Sequence, residues 1–375
     1  MKIYWLPGSS KMKIGLFTDT YFPQVNGVTF TVNLWKEKLE ERGYDVSIYY
    51  PAGRYKPKDG EYPFRSFEFK FYKEMRIAAP IDIIRKARDL DIVHIHGLFS
   101  MAIAGMHVSQ KYSLPRMLTY HTPADEYMNY ITRNETMKKT LLKIYNYWEK
   151  KLLNSCDTIT CPSNEIKQRL IAKGVKEPVV LSNGVDLGFF KPAPTEEFKK
   201  KYDIKEERTI GFCGRFGYEK HLEDLISIAD SFDGQILIAG KGPAEEYYRK
   251  LASGHNNIKF LGYLSREDLR ALYTCLDIFV FPSTAETQGL VALESMACGT
   301  PVVGANALAL KDTIKNGVNG YLYECADTRD LLGKINTAYR NREKLSANCK
   351  EDVQEHSVEK SVDQLEHLYK NLSME

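Results

Sequence analysis

Short apolar runs recur along the whole chain, and longer stretches with apolar residues at helical spacing separate them. In the first half the runs are KIGLFTD from Lys13, DVSIYYPA, DIVHIHG, RMLTYH, TITCPS and PVVLSNGVD. In the second half they are TIGFCGR, QILIAGKG, KFLGY, DIFVFPS and PVVG. A strand covered on both faces is apolar throughout rather than at alternate positions, and interleaved helices provide that cover in a parallel sheet. The pattern therefore predicts an α/β chain. One helix is expected through TVNLWKEKLEERG, stopped by Gly43, and another near MAIAGMHVSQ.

Because the series occurs twice in 375 residues, the chain is expected to form two Rossmann-like, doubly wound domains. The N-terminal domain is placed at 12–187 and the C-terminal one at 188–356. The amphipathic tail at 357–375 is predicted to pack back on the first domain. The charged, proline-containing stretch FFKPAPTEEFKKKYDIKEER reads as the linker into the second. Ligands of such sheets bind beyond the carboxyl ends of the strands, so two domains facing each other would enclose a cleft.

Composition narrows the function classes. Apolar content of 43% and charged content of 27% are ordinary for a soluble globular protein. A net charge of +3 gives no reason to expect a nucleic-acid partner. The seven cysteines form no C-x-x-C pair, so neither structural zinc nor a disulfide framework is expected, and reduced thiols in the cytoplasm fit better. No apolar run approaches the ~18 residues that span a bilayer. The start MKIYWLPGSSKMKIGLF lacks the apolar core of a secretion signal, and either Met1 or Met12 is the true start.

The chemistry-bearing residues cluster after predicted strands. Glu286 and Glu294 frame a glycine-containing turn in ETQGLVALE. Carboxylates accept strongly from hydroxyls, and backbone N–H groups at a helix start bind phosphate, so the pair suits a nucleotide-sugar. Were all eight steps helical, they would span roughly 12 Å, about the reach from ribose to sugar across a diphosphate. Taken alone, the pair fits equally well a turn and an amphipathic helix carrying two glutamates. In GRFGYEK, Arg215 offers a planar fork and Lys220 a point charge to phosphate oxygens. TDTYFPQVNGV places Asn26–Gly27 where backbone can approach a phosphate closely. IAGKGP lacks the third glycine of a dinucleotide fingerprint. His121 stands at a strand end. Asp89 and Asp91 do not read as a metal site, and His94 and His96 share a strand face without a carboxylate or cysteine to complete a metal set. Two segments mix lysine with aromatic residues and suit an anionic membrane surface or, equally, a packed helix with a solvated face. One holds Lys138, Lys139, Lys143, Lys150 and Lys151 with Tyr147 and Trp148, the other Lys70, Lys73 and Arg76 with Phe71 and Tyr72.

Together these elements resemble a family 4 retaining glycosyltransferase of GT-B fold, from Met12 to the end. The resemblance rests on E-x7-E from Glu286 to Glu294, on G-R-x4-K at Gly214–Lys220, on N-G-V-D at Asn183–Asp186 and on the first loop with Gly27, all in the same order. Within the family the chain looks most like diacylglycerol glucosyltransferases and related glycolipid synthases, which share a residue such as Gln288 before the turn glycine. The resemblance implies that Glu294 binds the donor ribose, Glu286 the transferred sugar, and Arg215 and Lys220 the diphosphate. Gly27 and the amides of Gly289 and Leu290 would contact phosphate or sugar, Tyr263 and Leu264 would lie near the uracil, and His121 would sit by the sugar. It implies transfer of a hexose, glucose from UDP-glucose first, to an acceptor hydroxyl with no cofactor and no metal. The acceptor would be a lipid such as diacylglycerol, on the inner face of the cell membrane, or a soluble sugar or sugar phosphate. A nucleotide-sugar epimerase of the same architecture and a non-catalytic binding protein are the competing readings.

Overall fold

A computed structural model of the chain describes residues 11–69, 72–123, 134–205 and 207–374. The extension 1–10, Lys70 and Phe71 of the second basic segment, and 124–133 of the loop that follows His121 lie outside the described residues. The chain divides into two compact units.

The first unit comprises Met1–Pro162, Lys167–Leu181 and Ser361–Glu375. Its main strands are β1 (Lys13–Thr18), β2 (Asp45–Pro51), β3 (Glu61–Phe64), β6 (Ile92–His96), β7 (Arg116–Thr119), β8 (Thr158–Cys161) and β9 (Val179–Val180). They form one sheet in the order β3-β2-β1-β6-β7-β8-β9, and every pairing is parallel. A separate antiparallel hairpin joins β4 (Ser66–Phe69) to β5 (Tyr72–Ala78). All five residues of β6 are buried, which is why IVHIH is apolar but for its two histidines. The helix Gly27–Glu41 is capped by Asn26, whose side chain accepts from the Thr29 amide at 2.9 Å, and buries Val32, Trp35 and Leu39 along one face. The tail helix Val358–Leu372 returns the chain to this unit: the Tyr369 hydroxyl lies 2.6 Å from His94 Nδ1, and Gln364 donates to the Val180 carbonyl at 2.8 Å.

The second unit comprises Ser163–Ile166 and Ser182–Lys360. Its strands are β10 (Thr209–Cys213), β11 (Gln235–Ala239), β12 (Ile258–Gly262), β13 (Ile278–Phe281), β14 (Val302–Ala305) and β15 (Gly320–Tyr323). Again all pairings are parallel, in the order β12-β11-β10-β13-β14-β15. The stretch expected to be a linker is part of this unit. Phe190, Phe198 and Ile204 are buried in its core, so the apolar residues among the charges hold the segment down.

Strands β3, β4, β5 and β15 are additional to the predicted set. β3 and β15 are four-residue edge strands with only their end residues buried; β3 carries Glu61 and Pro63 and so shows no continuous apolar run, and β15 is a short GYLY segment.

Candidate active site

Each sheet is doubly wound: the chain proceeds to one edge, then returns beside its first strand and proceeds to the other. The crevice at that reversal, past the carboxyl ends of the two central strands, is where such sheets receive ligands. In the second unit the two central strands are β10 and β13, and the connections leaving them carry Arg215, Lys220, Glu286, Gln288 and Gly289.

After β10 the chain runs through Gly214–Gly217 into a 3-10 turn at Tyr218–Lys220. Fully buried Phe216 anchors this loop in the core. Arg215 Nη1 lies 3.1 Å from Glu219 Oε1, and Lys220 Nζ lies 2.5 Å from Glu286 Oε1. The Glu219 carbonyl accepts from the Thr284 amide at 3.2 Å, joining the β10 loop to the loop after β13. Both cations thus have a carboxylate beside them within the unit. Gly217 makes one pair possible, because a Cβ there would meet Glu219 Oε1 at 2.1 Å. The glycines of IAGKGP serve the same loop. A Cβ on Gly240 would lie 1.9 Å from the Gly214 carbonyl oxygen, and one on Gly242 would lie 2.5 Å from that of Phe216. The motif that fails as a dinucleotide fingerprint is the backbone seat of the Arg215 loop.

The loop leaving β13 reaches Glu286 and then Gly289, which at φ +81° caps the helix Leu290–Ala297. Only the second half of the E-x7-E element is helical, so the 12 Å rise does not apply. Glu294 sits inside the helix and accepts from the Tyr273 hydroxyl at 2.9 Å. Burial pushes its carboxyl up to about 7, against the pull of Tyr273 and of the Arg266 charge.

Residues 25–189 match the family described as Glycosyltransferase Family 4, and residues 194–356 that described as glycosyl transferases group 1. The chain is 30% identical to the alpha-monoglucosyldiacylglycerol synthase of Streptococcus pneumoniae, over 86% of this chain and 77% of that one. The chain belongs to glycosyltransferase family 4. The alpha-monoglucosyldiacylglycerol synthase of Acholeplasma laidlawii is 27% identical over 96% of this chain and 97% of its own. Among solved structures, HepE of Anabaena in complex with UDP-glucose superposes with a TM-score of 0.78 at 18% identity, over 96% of this chain and all of the other. The two parallel-sheet Rossmann-like units are those of the GT-B fold.

Several predicted residues of this family 4 chain occupy places the sequence did not disclose. Gln288 is buried, its amide nitrogen 2.6 Å from Ser182 Oγ and its amide oxygen 2.9 Å from the Asn183 amide. Its side chain is thus engaged with the N-G-V-D loop. Leu264 is buried, so only its backbone is offered at the β12 loop, whereas the Tyr263 side chain is exposed. Gly27 opens the helix after β1. His121 stands just beyond β7, its Nε2 3.0 Å from His96 Nδ1. Sequence reasoning passed over Glu219 and Tyr273. Glu219 carried a signal, four residues after Arg215 on one turn; Tyr273 carried none, being on a different helix from Glu294.

The environment of Glu294 sets a pH dependence. Its ionised form accepts hydroxyls best, and that form is lost as pH falls through about 7. The diphosphate diester of a nucleotide-sugar does not titrate in this range. If Glu294 binds the donor ribose, as the family resemblance implies, affinity for UDP-glucose should fall up to about tenfold per pH unit below 7. Tyr273→Phe removes a bond that favours the ionised form, so it should move the midpoint to higher pH. Calorimetry between pH 5.5 and 8.5 reads both; a flat profile in the wild type would remove Glu294 from the ligand.

Proposed function

We propose that this chain transfers glucose from UDP-glucose, with retention, to the hydroxyl of diacylglycerol at a membrane surface. The observation that carries the donor half is the convergence of Arg215, Lys220, Glu286 and the Gly289 cap on adjacent loops at one sheet crevice. Arg215 and Lys220 hold the diphosphate, Glu286 the sugar hydroxyls and Glu294 the ribose. The amides of Gly289 and Leu290, with Gly27, meet phosphate or sugar, the Tyr263–Leu264 backbone meets the uracil, and His121 lies by the transferred sugar. As the bond from the sugar C1 to the diphosphate oxygen breaks, negative charge gathers on the leaving group, where fixed cations stabilise it most. The acceptor oxygen bonds to C1 on the same face, and its proton passes to the departing diphosphate oxygen. Atoms and charge then balance with nucleoside diphosphate as the second product.

The lipid half rests on the relatives' names and on the helix Glu135–Leu153. That helix buries Tyr145, Glu149, Leu152 and Leu153, and leaves Met137, Ile144, Tyr147 and Trp148 exposed among Lys139, Lys143, Lys150 and Lys151. Apolar and aromatic side chains bordered by lysine suit an anionic lipid surface. Among the described residues no helix is long and apolar enough to cross a membrane.

A screen of donors against acceptors, including diacylglycerol in mixed micelles, should yield an α-glucosyl lipid and uridine diphosphate. The protein should float with vesicles containing phosphatidylglycerol, and Ile144→Glu with Tyr147→Glu should abolish flotation. Transfer to a soluble sugar with no lipid dependence would overturn the lipid acceptor. An altered donor sugar without any acceptor would indicate an epimerase.

A further inference from the structure

The first unit holds a chain of three histidines, of which the proposal above uses His121 alone. His94 is fully buried with both ring nitrogens bonded: Nδ1 to the Tyr369 hydroxyl at 2.6 Å and Nε2 to Thr119 Oγ1 at 2.7 Å. His96 packs against it with ring centroids 4.0 Å apart, and its own Nδ1 meets His121 Nε2 at 3.0 Å. The indole of Trp35 lies within 6.3 Å of all three rings. His96 Nε2 is buried and has no hydrogen-bond partner among the described residues.

That unpartnered nitrogen decides where the protons are. A 3.0 Å contact between two ring nitrogens needs one donor and one acceptor. If His121 donated, His96 would accept on Nδ1 and carry its own proton on Nε2, leaving a buried N–H without an acceptor. If His96 donates from Nδ1, the unpartnered Nε2 is a bare lone pair. Orphaned buried N–H groups are the rarer of the two defects. Burial also keeps His96 neutral, so it has one proton to place.

We infer that His96 is a positioning residue that donates from Nδ1 to His121 Nε2 and thereby fixes His121 as the tautomer protonated at Nδ1. The hydrogen bond at one imidazole nitrogen sets the state of the other. His121 then presents an N–H to what it faces and has no free lone pair for taking a proton. It acts as a hydrogen-bond donor to a substrate oxygen, and the acceptor's proton leaves by the diphosphate. This inference rests on the proposed place of His121 beside the transferred sugar. Trp35 stacks on His94 and packs tilted against His96, and His94, tied to Tyr369, packs against His96 in turn, so the ring is confined on both sides.

Long-range proton–nitrogen correlation spectra of the full chain with 15N-histidine report each tautomer directly, with assignment from His96→Asn and His121→Gln. Both His96 and His121 should show protonated Nδ1 and unprotonated Nε2, although the free histidine side chain favours the opposite tautomer. A protonated Nε2 on either ring overturns the inference, whatever the activity. Kinetics supply the second arm. In His96→Asn the side-chain amide can donate from about the Nδ1 position, so kcat should stay within about threefold of wild type. His96→Leu should lose roughly tenfold or more in kcat with the KM for UDP-glucose little changed. Equal loss in the two variants, with melting temperatures matched, would leave His96 a packing residue and overturn its positioning role. Matching tautomers with no effect of His121→Gln on turnover would instead remove His121 from the transfer site.

Discussion

Replacing Arg215 and Lys220 together with alanine should lower the affinity for uridine diphosphate by at least about a hundredfold. Each cation would make a charge-assisted bond to the diphosphate, and such bonds contribute about 1.5–3 kcal/mol. Two of them correspond to roughly 3–6 kcal/mol, or a factor between about 10² and 10⁴. Lys220→Ala has a further effect: it leaves Glu286, normally 2.5 Å from Lys220 Nζ, as an unneutralised carboxylate beside the incoming phosphates. Glu286→Gln in the Lys220→Ala background should recover part of the loss. Both cations are on loops and partly exposed, so the melting temperature should hardly move. Calorimetry checks the binding. Undiminished affinity in the double variant would remove these side chains from the donor site and with them the proposed chemistry.

The largest effect on folding is expected from Gly240→Ala. At φ +128° any side chain is strained, and the added Cβ would lie 1.9 Å from the Gly214 carbonyl oxygen, a backbone atom that cannot swing aside. Relief requires moving the loop that carries Arg215, whose Phe216 amide donates to the Lys241 carbonyl at 2.9 Å. A cost of about 3 kcal/mol or more is expected, equivalent to a fall of roughly 6–12 °C in the melting temperature of the second unit. Donor affinity should drop even at temperatures where the protein stays folded. Gly333→Ala is the contrast: it lies in the helix Thr328–Arg340 with open space around its Cβ position, and should stabilise by about 0.5–1 kcal/mol. A Gly240→Ala protein that melts with wild type would show that the two loops are not held together as described.

How far the sequence disclosed this arrangement depended on the range of the interactions. The central strands were legible because burial on both faces demands a continuous apolar run, as in β6 and β13. Arg215, Lys220 and Glu286 were legible because each follows such a strand, and strand ends in a parallel sheet lie together. The edge strands β3 and β15 escaped because half of their residues are not buried. The partners of Gln288 were not legible because a polar residue in such a motif looks the same whether it faces a ligand or a neighbouring loop. Only its bonds to Ser182 and Asn183 distinguish the two. His94 and His96 were seen to share a face by alternation along one strand. That His121 joins them depends on β6 pairing with β7, which no local pattern reports.

The pairs Arg215–Glu219 and Lys220–Glu286 have a consequence for which anions the crevice admits. Four charges that cancel among themselves offer little pull to stray phosphate or pyrophosphate, since a newcomer must evict carboxylates already in place. A guest that arrives with alcohols as well as phosphates gives the evicted acids something to hold. If this crevice is the proposed donor site, selection for a sugar-bearing diphosphate over its bare counterpart would be written into the resting state, before any contact with the base.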